Sequence, residues 1–123
     1  MQCILIVDTD EVSRTSLSSF LSKIGYQIEI AQSAGETIQK VQNMDIDVVI
    51  MDVELSGMKG YEIIPILKKI DAHLPIIMTS TDTSLELAKK VREAGIFFYE
   101  IKPLDFEEIR LAVKDACKKK AEV

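Results

Sequence analysis

Hydrophobic and polar positions alternate in blocks along the chain. Mostly apolar runs cover residues 3–7, 48–51, 75–80 and 96–101. Short apolar runs bounded by polar residues and glycines predict buried strands. Residues 26–30 alternate apolar and polar side chains, which predicts a half-exposed strand at the edge of a sheet.

Amphipathic stretches between and after these runs predict five helices. In the first, apolar residues recur at helical spacing on one face, at Leu17, Phe20, Leu21 and Ile24. The third is predicted to start near Tyr61, with Pro65 about one turn into it. Residue types that favour helix ends set the other boundaries. The predicted caps are Thr9 or Asp10, Ser33, Asp82 or Thr83, and Asp105, and the predicted terminating glycines are Gly25 and Gly95.

The strands and helices therefore alternate five times, which predicts an α/β fold with helices on both faces of a parallel sheet. Right-handed crossovers leave few arrangements of such a (βα)5 chain. The flavodoxin-like, doubly wound order 2-1-3-4-5 fits best, because it puts the edge-like second strand outside and the apolar first and third strands inside. With 123 residues, the chain is expected to form one domain over residues 1–123.

Polar side chains follow four of the predicted strands. Asp8 follows the first, Asp52 the third, Ser80 ends the fourth, and Lys102 follows the fifth. Open α/β sheets bind ligands at the carboxyl ends of their strands, so Asp8 and Asp52 are expected to face each other there. Mg²⁺ suits one or two carboxylates plus a phosphate, and a carboxylate can accept a phosphoryl group as a nucleophile. The hydroxyl of Ser80 and the ammonium of Lys102 could then hold the phosphoryl oxygens.

These residues make the chain resemble the receiver domain of two-component response regulators over nearly its whole length. The resemblance implies that Asp52 accepts a phosphoryl group from a histidine kinase, a phosphotransfer protein or a small phosphodonor, with Mg²⁺ bound. It also implies that a face around the fourth and fifth helices then changes. The residues that carry the match are Ile4 to Asp8, Arg14, Gly25, Asp52, Gly57, Met58, Gly60, Ser80, Tyr99, Lys102 and Pro103.

The resemblance assigns roles to individual positions. It implies metal ligation by Asp8, Asp52 and the backbone carbonyl of Glu54, to which Asp10 could add a carboxylate. The phosphoryl-binding and switch residues would be Ser80, Thr81, Lys102 and Tyr99. The domain would be a regulatory phosphoacceptor rather than an enzyme. Its expected partners are the kinase, a downstream protein or output domain, and a second copy in a homodimer.

Three positions depart from the family pattern. Thr9 stands where the family usually has a second acid, so the affinity for Mg²⁺ should fall. Ser56 replaces a usual proline, and Thr81 is bulkier than the usual residue and could narrow access to Asp52. These departures favour an alternative, in which a degenerate receiver acts as a protein-interaction module without phosphorylation.

A more distant alternative is a phosphatase. The stretch from Asp8 to Val12 also resembles the first motif of haloacid-dehalogenase-type phosphatases, with Asp8 as nucleophile and Asp10 as acid and base. Against it, a helix is predicted to begin at once, the chain is short for that family, and Asp52 would have no role.

Composition limits the function further. The net charge of -5 argues against direct nucleic-acid contact, which requires clustered Lys and Arg. No apolar stretch approaches the ~20 residues of a membrane span, and no signal peptide is recognisable, so a cytoplasmic location is expected. Cys3 and Cys117 lie far apart without metal-ligand spacing and are expected to be reduced thiols.

Overall fold

The computed structural model describes residues 1–123 and contains a five-stranded parallel sheet in the order β2-β1-β3-β4-β5. This order confirms the prediction. The strands are β1 (Cys3–Val7), β2 (Gln27–Ala31), β3 (Val48–Asp52), β4 (Ile76–Ser80) and β5 (Phe98–Ile101). The helices are α1 (Glu11–Lys23), α2 (Ala34–Asn43), α3 (Ile64–Ile70), α4 (Leu85–Glu93) and α5 (Phe106–Ala121).

Two hydrophobic layers cover the sheet. Leu5 and Val7 of β1 belong to a layer shared with α2, α3 and α4, while Ile4 and Ile6 belong to a layer shared with α1 and α5. Successive strand residues point to opposite faces, so a strand covered on both sides must be apolar throughout. All five residues of β1 are buried, which explains the unbroken apolar runs in the sequence.

Several boundaries differ from the prediction. β5 begins at Phe98 rather than at residue 96, after the chain reverses at Gly95 with φ of 86°. The third helix begins as a 3₁₀ turn, Gly60–Ile63, and becomes α-helical only at Ile64. Pro65 therefore lies in the first turn of α3, where its missing N–H removes no hydrogen bond.

The cap of α4 was predicted wrongly. Ser84, and not Asp82 or Thr83, caps the helix, and its hydroxyl accepts a hydrogen bond from the backbone N–H of Leu87 at 3.2 Å. Asp82 instead accepts one from the N–H of Ser84 at 2.8 Å and so orders the turn before the helix. The predicted caps Asp10, Ser33 and Asp105 are confirmed.

A small hairpin after β3 was not predicted. Residues Glu54–Leu55 and Met58–Lys59 pair antiparallel, and Gly57 turns the chain with φ of 80°. A positive φ at the third position of a tight turn suits glycine. The hairpin orders the loop that carries Ser56.

None of the helices is long and apolar enough to span a bilayer. Both cysteines are free; Cys3 is buried and Cys117 is half-buried.

Candidate functional site

The carboxyl ends of β1, β3 and β5 bring together two acids and one lysine. Asp52 ends β3 and Asp8 directly follows β1, and these two strands are neighbours in the sheet. Both acids are buried, with 8% and 6% of their surfaces exposed. The ammonium Nζ of Lys102 lies 2.5 Å from Oδ2 of Asp52 and 2.8 Å from Oδ2 of Asp8. The sequence-predicted trio is therefore one contact cluster.

The ammonium of Lys102 acts as a cation between the two carboxylates. Burial disfavours its charge, but hydrogen bonds to Asp52 and then to Asp8 outweigh burial and raise its pKa. Because both oxygens contact one nitrogen at these distances, they are no more than about 5.3 Å apart. One positive charge compensates only one of the two acids, so the cluster retains a net negative charge that a further cation could neutralise.

Backbone N–H groups fix the other oxygen of each acid. Oδ1 of Asp52 accepts from the N–H of Glu54 at 2.8 Å, and Oδ1 of Asp8 accepts from the N–H of Asp10 at 2.9 Å. Asp side chains commonly bond the backbone two residues on. Both carboxylates therefore direct Oδ2 toward Nζ of Lys102.

Two residues support this arrangement in ways that the sequence did not reveal. Nη1 of Arg14 donates to the backbone carbonyl of Asp8 at 2.8 Å. Gly60 approaches the backbone of β3 so closely that a Cβ there would lie 2.5 Å from the carbonyl oxygen of Asp52. Arg14 and Gly60 were noted only as family-matching positions, because a contact with a distant backbone atom leaves no periodic signal in a sequence.

Ser80 and Tyr99 are linked through the turn after β4. The buried hydroxyl of Ser80 accepts from the N–H of Asp82 at 2.9 Å, and the hydroxyl of the half-buried Tyr99 donates to the carbonyl of Asp82 at 3.4 Å. The N–H of Lys102 donates to the carbonyl of Ser80 at 2.7 Å. The turn after β4, the aromatic of β5 and the site lysine are thus directly connected, while Thr81 is exposed.

The remaining predicted positions lie around the acid pair. Thr9 is exposed, and the Asp10 carboxylate bonds the N–H and the hydroxyl of Ser13 while capping α1. The side chain of Glu54 is exposed and pairs with Lys59. The structure contains no group of three or more His, Cys, Asp or Glu side chains that could hold a metal ion.

The residues present nevertheless fit a divalent cation. Mg²⁺ binds oxygen ligands and keeps several waters, so one or two carboxylates plus a phosphate are a normal protein contribution. Asp8 and Asp52 supply two carboxylates aimed at one point, and the backbone carbonyl of Glu54 lies in the segment directly after β3. The predicted ligand set thus remains chemically reasonable without a carboxylate at position 9.

Comparison with known proteins agrees with the fold. The sequence model of the response regulator receiver domain family matches residues 4–114. Sporulation initiation phosphotransferase F of Bacillus subtilis is 33% identical over 111 residues, which are 90% of this chain and 90% of that protein. The transcriptional regulatory protein ZraR of Escherichia coli (strain K12) is 29% identical over 92% of this chain, which spans only 26% of that protein.

Solved structures give the same assignment. A CheY-like response regulator receiver domain protein from Methanospirillum hungatei JF-1 superposes with a TM-score of 0.92 at 29% identity, over 99% of this chain and 98% of that one. The beryllofluoride-activated NtrC4 receiver domain dimer gives 0.91 at 26% identity, over 98% and 99%. The chain therefore belongs to the response regulator receiver domain family.

Proposed function

We propose that Asp52 accepts a phosphoryl group and that this modification switches the interactions of the domain. The observation that supports this most directly is the orientation of Asp52. Its Oδ1 is held by a backbone N–H and its Oδ2 by a buried ammonium, beside a second carboxylate. A carboxylate oriented in this way can attack the phosphorus of a phosphorylated histidine or an acyl phosphate. The new bond forms at the Asp52 oxygen as the bond to the donor's leaving group breaks.

The neighbouring residues would stabilise the product. Lys102 can move from the carboxylates to a phosphoryl oxygen, and the Ser80 hydroxyl can donate its proton to another. Asp8, Asp52 and the backbone carbonyl of Glu54 would hold Mg²⁺, whose positive charge would offset the negative charge of the phosphoryl group. Asp10 adjoins this set and could bind through water.

A change at Ser80 would be transmitted through the turn that it shares with Tyr99. Both side chains contact Asp82, so movement of Ser80 toward a phosphoryl group would break its hydrogen bond with the N–H of Asp82 and loosen the turn that Tyr99 also contacts. Thr81 lies in the moving segment. Tyr99 can then rotate inward, which changes the face formed by α4, β5 and α5. Such a switch shifts the populations of two states by adding charge at one site.

The partners follow from this role. The phosphodonor would be a histidine kinase or a phosphotransfer protein, and the readout a downstream protein, an output domain or a second receiver in a dimer. Transcriptional regulators such as ZraR contain a matching segment within a much longer protein. The domain would act as a regulated phosphoacceptor rather than as a catalyst with turnover.

One set of observations favours an alternative function. Thr9 is not acidic, no third carboxylate completes a metal site, and the ammonium of Lys102 already compensates one charge of the acid pair. A receiver with this site could present its α4–β5–α5 face to a partner without being phosphorylated. Weak binding of Mg²⁺ would be the property that separates this module from a switch.

The test is phosphorylation of the purified chain by acetyl phosphate at saturating Mg²⁺, measured by intact-protein mass. We expect the mass of one phosphoryl group to be added, and expect Asp52→Asn to prevent it. The matched control Asp45→Asn, at an exposed aspartate, should be modified like the wild type. Failure to modify the wild type, together with unchanged amide spectra on addition of beryllofluoride, would refute the switch and leave the interaction module.

The same variants test the phosphatase alternative. Turnover of p-nitrophenyl phosphate that is lost in Asp8→Asn and retained in Asp52→Asn would support a nucleophilic Asp8. We expect no such turnover, because Asp10 is engaged in capping α1 and Oδ2 of Asp8 contacts Lys102.

A further inference from the structure

A buried carboxyl group lies in β5, on the strand that also carries Tyr99. Glu100 has only 8% of its surface exposed, and its Oε2 atom is buried without a hydrogen-bond partner. Strand alternation puts it on the same face as Phe98, which packs in the layer formed by α1 and α5. An unpaired charge in such a place is strongly unfavourable, so a partner or a proton is required.

The groups that face Glu100 are acidic. Glu108, in the first turn of α5, has its carboxyl group within hydrogen-bonding reach of the Glu100 carboxyl group. Asp105, the cap of α5, adds a second nearby carboxylate, and its backbone N–H partly offsets the effect of that charge. Thr79 of β4, opposite Glu100 in the sheet register, is uncharged. Neither Glu100 nor Glu108 forms an ion pair. Arg110, a cation of the same helix, pairs with Glu107 instead.

A hydrogen bond between two carboxyl groups requires a proton on one of them. Burial of Glu100, and next its hydrogen bond to Glu108 and the charges of Glu108 and Asp105, raise its pKa to about 8. Glu108 is exposed, which gives the proton a direct route to solvent.

We propose that Glu100 and Glu108 share one proton in the folded domain, and that this proton fastens β5 to the first turn of α5. Loss of the proton to solvent leaves two facing carboxylates, and their repulsion moves the exposed Glu108 and its turn away from β5. The domain would therefore contain a pH-sensitive contact in addition to its phosphorylation site.

The position of this pair gives it a functional consequence. Tyr99 packs against the layer that contains α4, whereas Glu100, its neighbour in sequence, faces α5. One short strand thus carries the proposed phosphorylation readout on one face and the shared proton on the other. The proton sharing itself does not depend on phosphorylation of Asp52, so either proposal can fail without the other.

The first experiment follows the side-chain carboxyl carbons by NMR in the full chain labelled with ¹³C-glutamate, from pH 5 to pH 10. Spectra of Glu100→Gln and Glu108→Gln assign the two signals. We expect at least one of the pair to titrate about two or more pH units above the exposed Glu93 in the same spectrum. Titration of both groups alongside Glu93 in the wild-type protein would overturn the proposal.

The second experiment asks whether the proton holds the two elements together. Backbone amide signals of β5 and of the first turn of α5 should shift with the same midpoint as the carboxyl pair. Glu100→Gln, which keeps a neutral hydrogen-bond donor, should abolish that shift, and the control Glu93→Gln should leave it unchanged. Two outcomes would also overturn the proposal. In the first, a carboxyl group of the wild type has a raised pKa, but the amide signals do not shift with the same midpoint. In the second, the amide shift is retained in Glu100→Gln.

Discussion

Replacing Lys102 by methionine removes the cation between Asp8 and Asp52 while keeping most of the apolar stem. In the wild type, the ammonium lies 2.5 Å and 2.8 Å from the two carboxylates, and both carboxylates are buried. The variant leaves two like charges facing each other at the end of β1 and β3. We therefore expect a substantial loss of stability at neutral pH.

The magnitude follows from the distances. Two carboxylate oxygens no more than about 5.3 Å apart repel each other by about 3 kcal/mol at an effective dielectric constant of about 20. Removing one partner of a buried ion pair typically costs about 3–5 kcal/mol. The small exposed fraction of these buried carboxylates lets water screen part of the repulsion, so we expect Lys102→Met to lose roughly 2–4 kcal/mol of unfolding free energy at pH 7.

Urea denaturation measures this loss as a lower midpoint at unchanged slope. Mg²⁺ should stabilise the variant more than the wild type, since no ammonium competes for the acid pair. Lys59→Met, which breaks an exposed pair beside the site, should unfold at nearly the wild-type midpoint.

Two results would refute this reasoning. A Lys102→Met variant as stable as the wild type at pH 7 would mean that the carboxylates are fully hydrated or already protonated. Equal stabilisation of both proteins by Mg²⁺ would mean that the cation binds away from Lys102 and its two acids.

Three further predictions address the site, the metal and pH. Gly60→Ala should lower the unfolding free energy by roughly 1–3 kcal/mol and slow phosphorylation, because its Cβ would lie 2.5 Å from the carbonyl oxygen of Asp52. The control Gly35→Ala has open space around it in α2 and should leave the stability unchanged or raise it in the same urea denaturation assay. Thr9→Asp should tighten Mg²⁺ binding at least several-fold in a fluorescence or calorimetric titration, by adding a carboxylate to the ligand set; unchanged affinity would exclude position 9 from the metal site. The raised pKa of Glu100 means that the folded state binds more protons than the unfolded state, so wild-type stability should fall by roughly 2–4 kcal/mol as pH rises from 5 to 9, and Glu100→Gln should remove that fall.

Local patterns were enough to predict most of the architecture. The apolar run of β1 and the edge-like alternation near β2 led to the correct strand order, because burial on one or two faces leaves a direct periodic signal. Boundaries were less accurate where the signal is short. The residues around Ser84 include several good capping types, and only the tertiary position of the turn decides which of them bonds the first helical N–H.

The candidate site was predicted as a set of residues but not as a geometry. Asp8, Asp52 and Lys102 follow strands whose carboxyl ends meet at one sheet edge, so their proximity is expected from topology. Which oxygen contacts the ammonium, and which is held by the backbone, depends on side-chain torsions that sequence does not specify. The approach of Gly60 to the backbone of β3 depends on packing of the same kind.

Local residue patterns specify the alternation of strands and helices and put the chemically important residues at strand ends. These properties depend on residues close together in the chain, because the spacing of residues along a helix or strand sets the face to which their side chains point. Only the tertiary structure decided that Lys102 bridges two acids 50 and 94 positions away, and that Glu100 is covered by α5 and faces Glu108. The physical reason is that burial and charge pairing are properties of the space between elements, and that space exists only once the elements have packed.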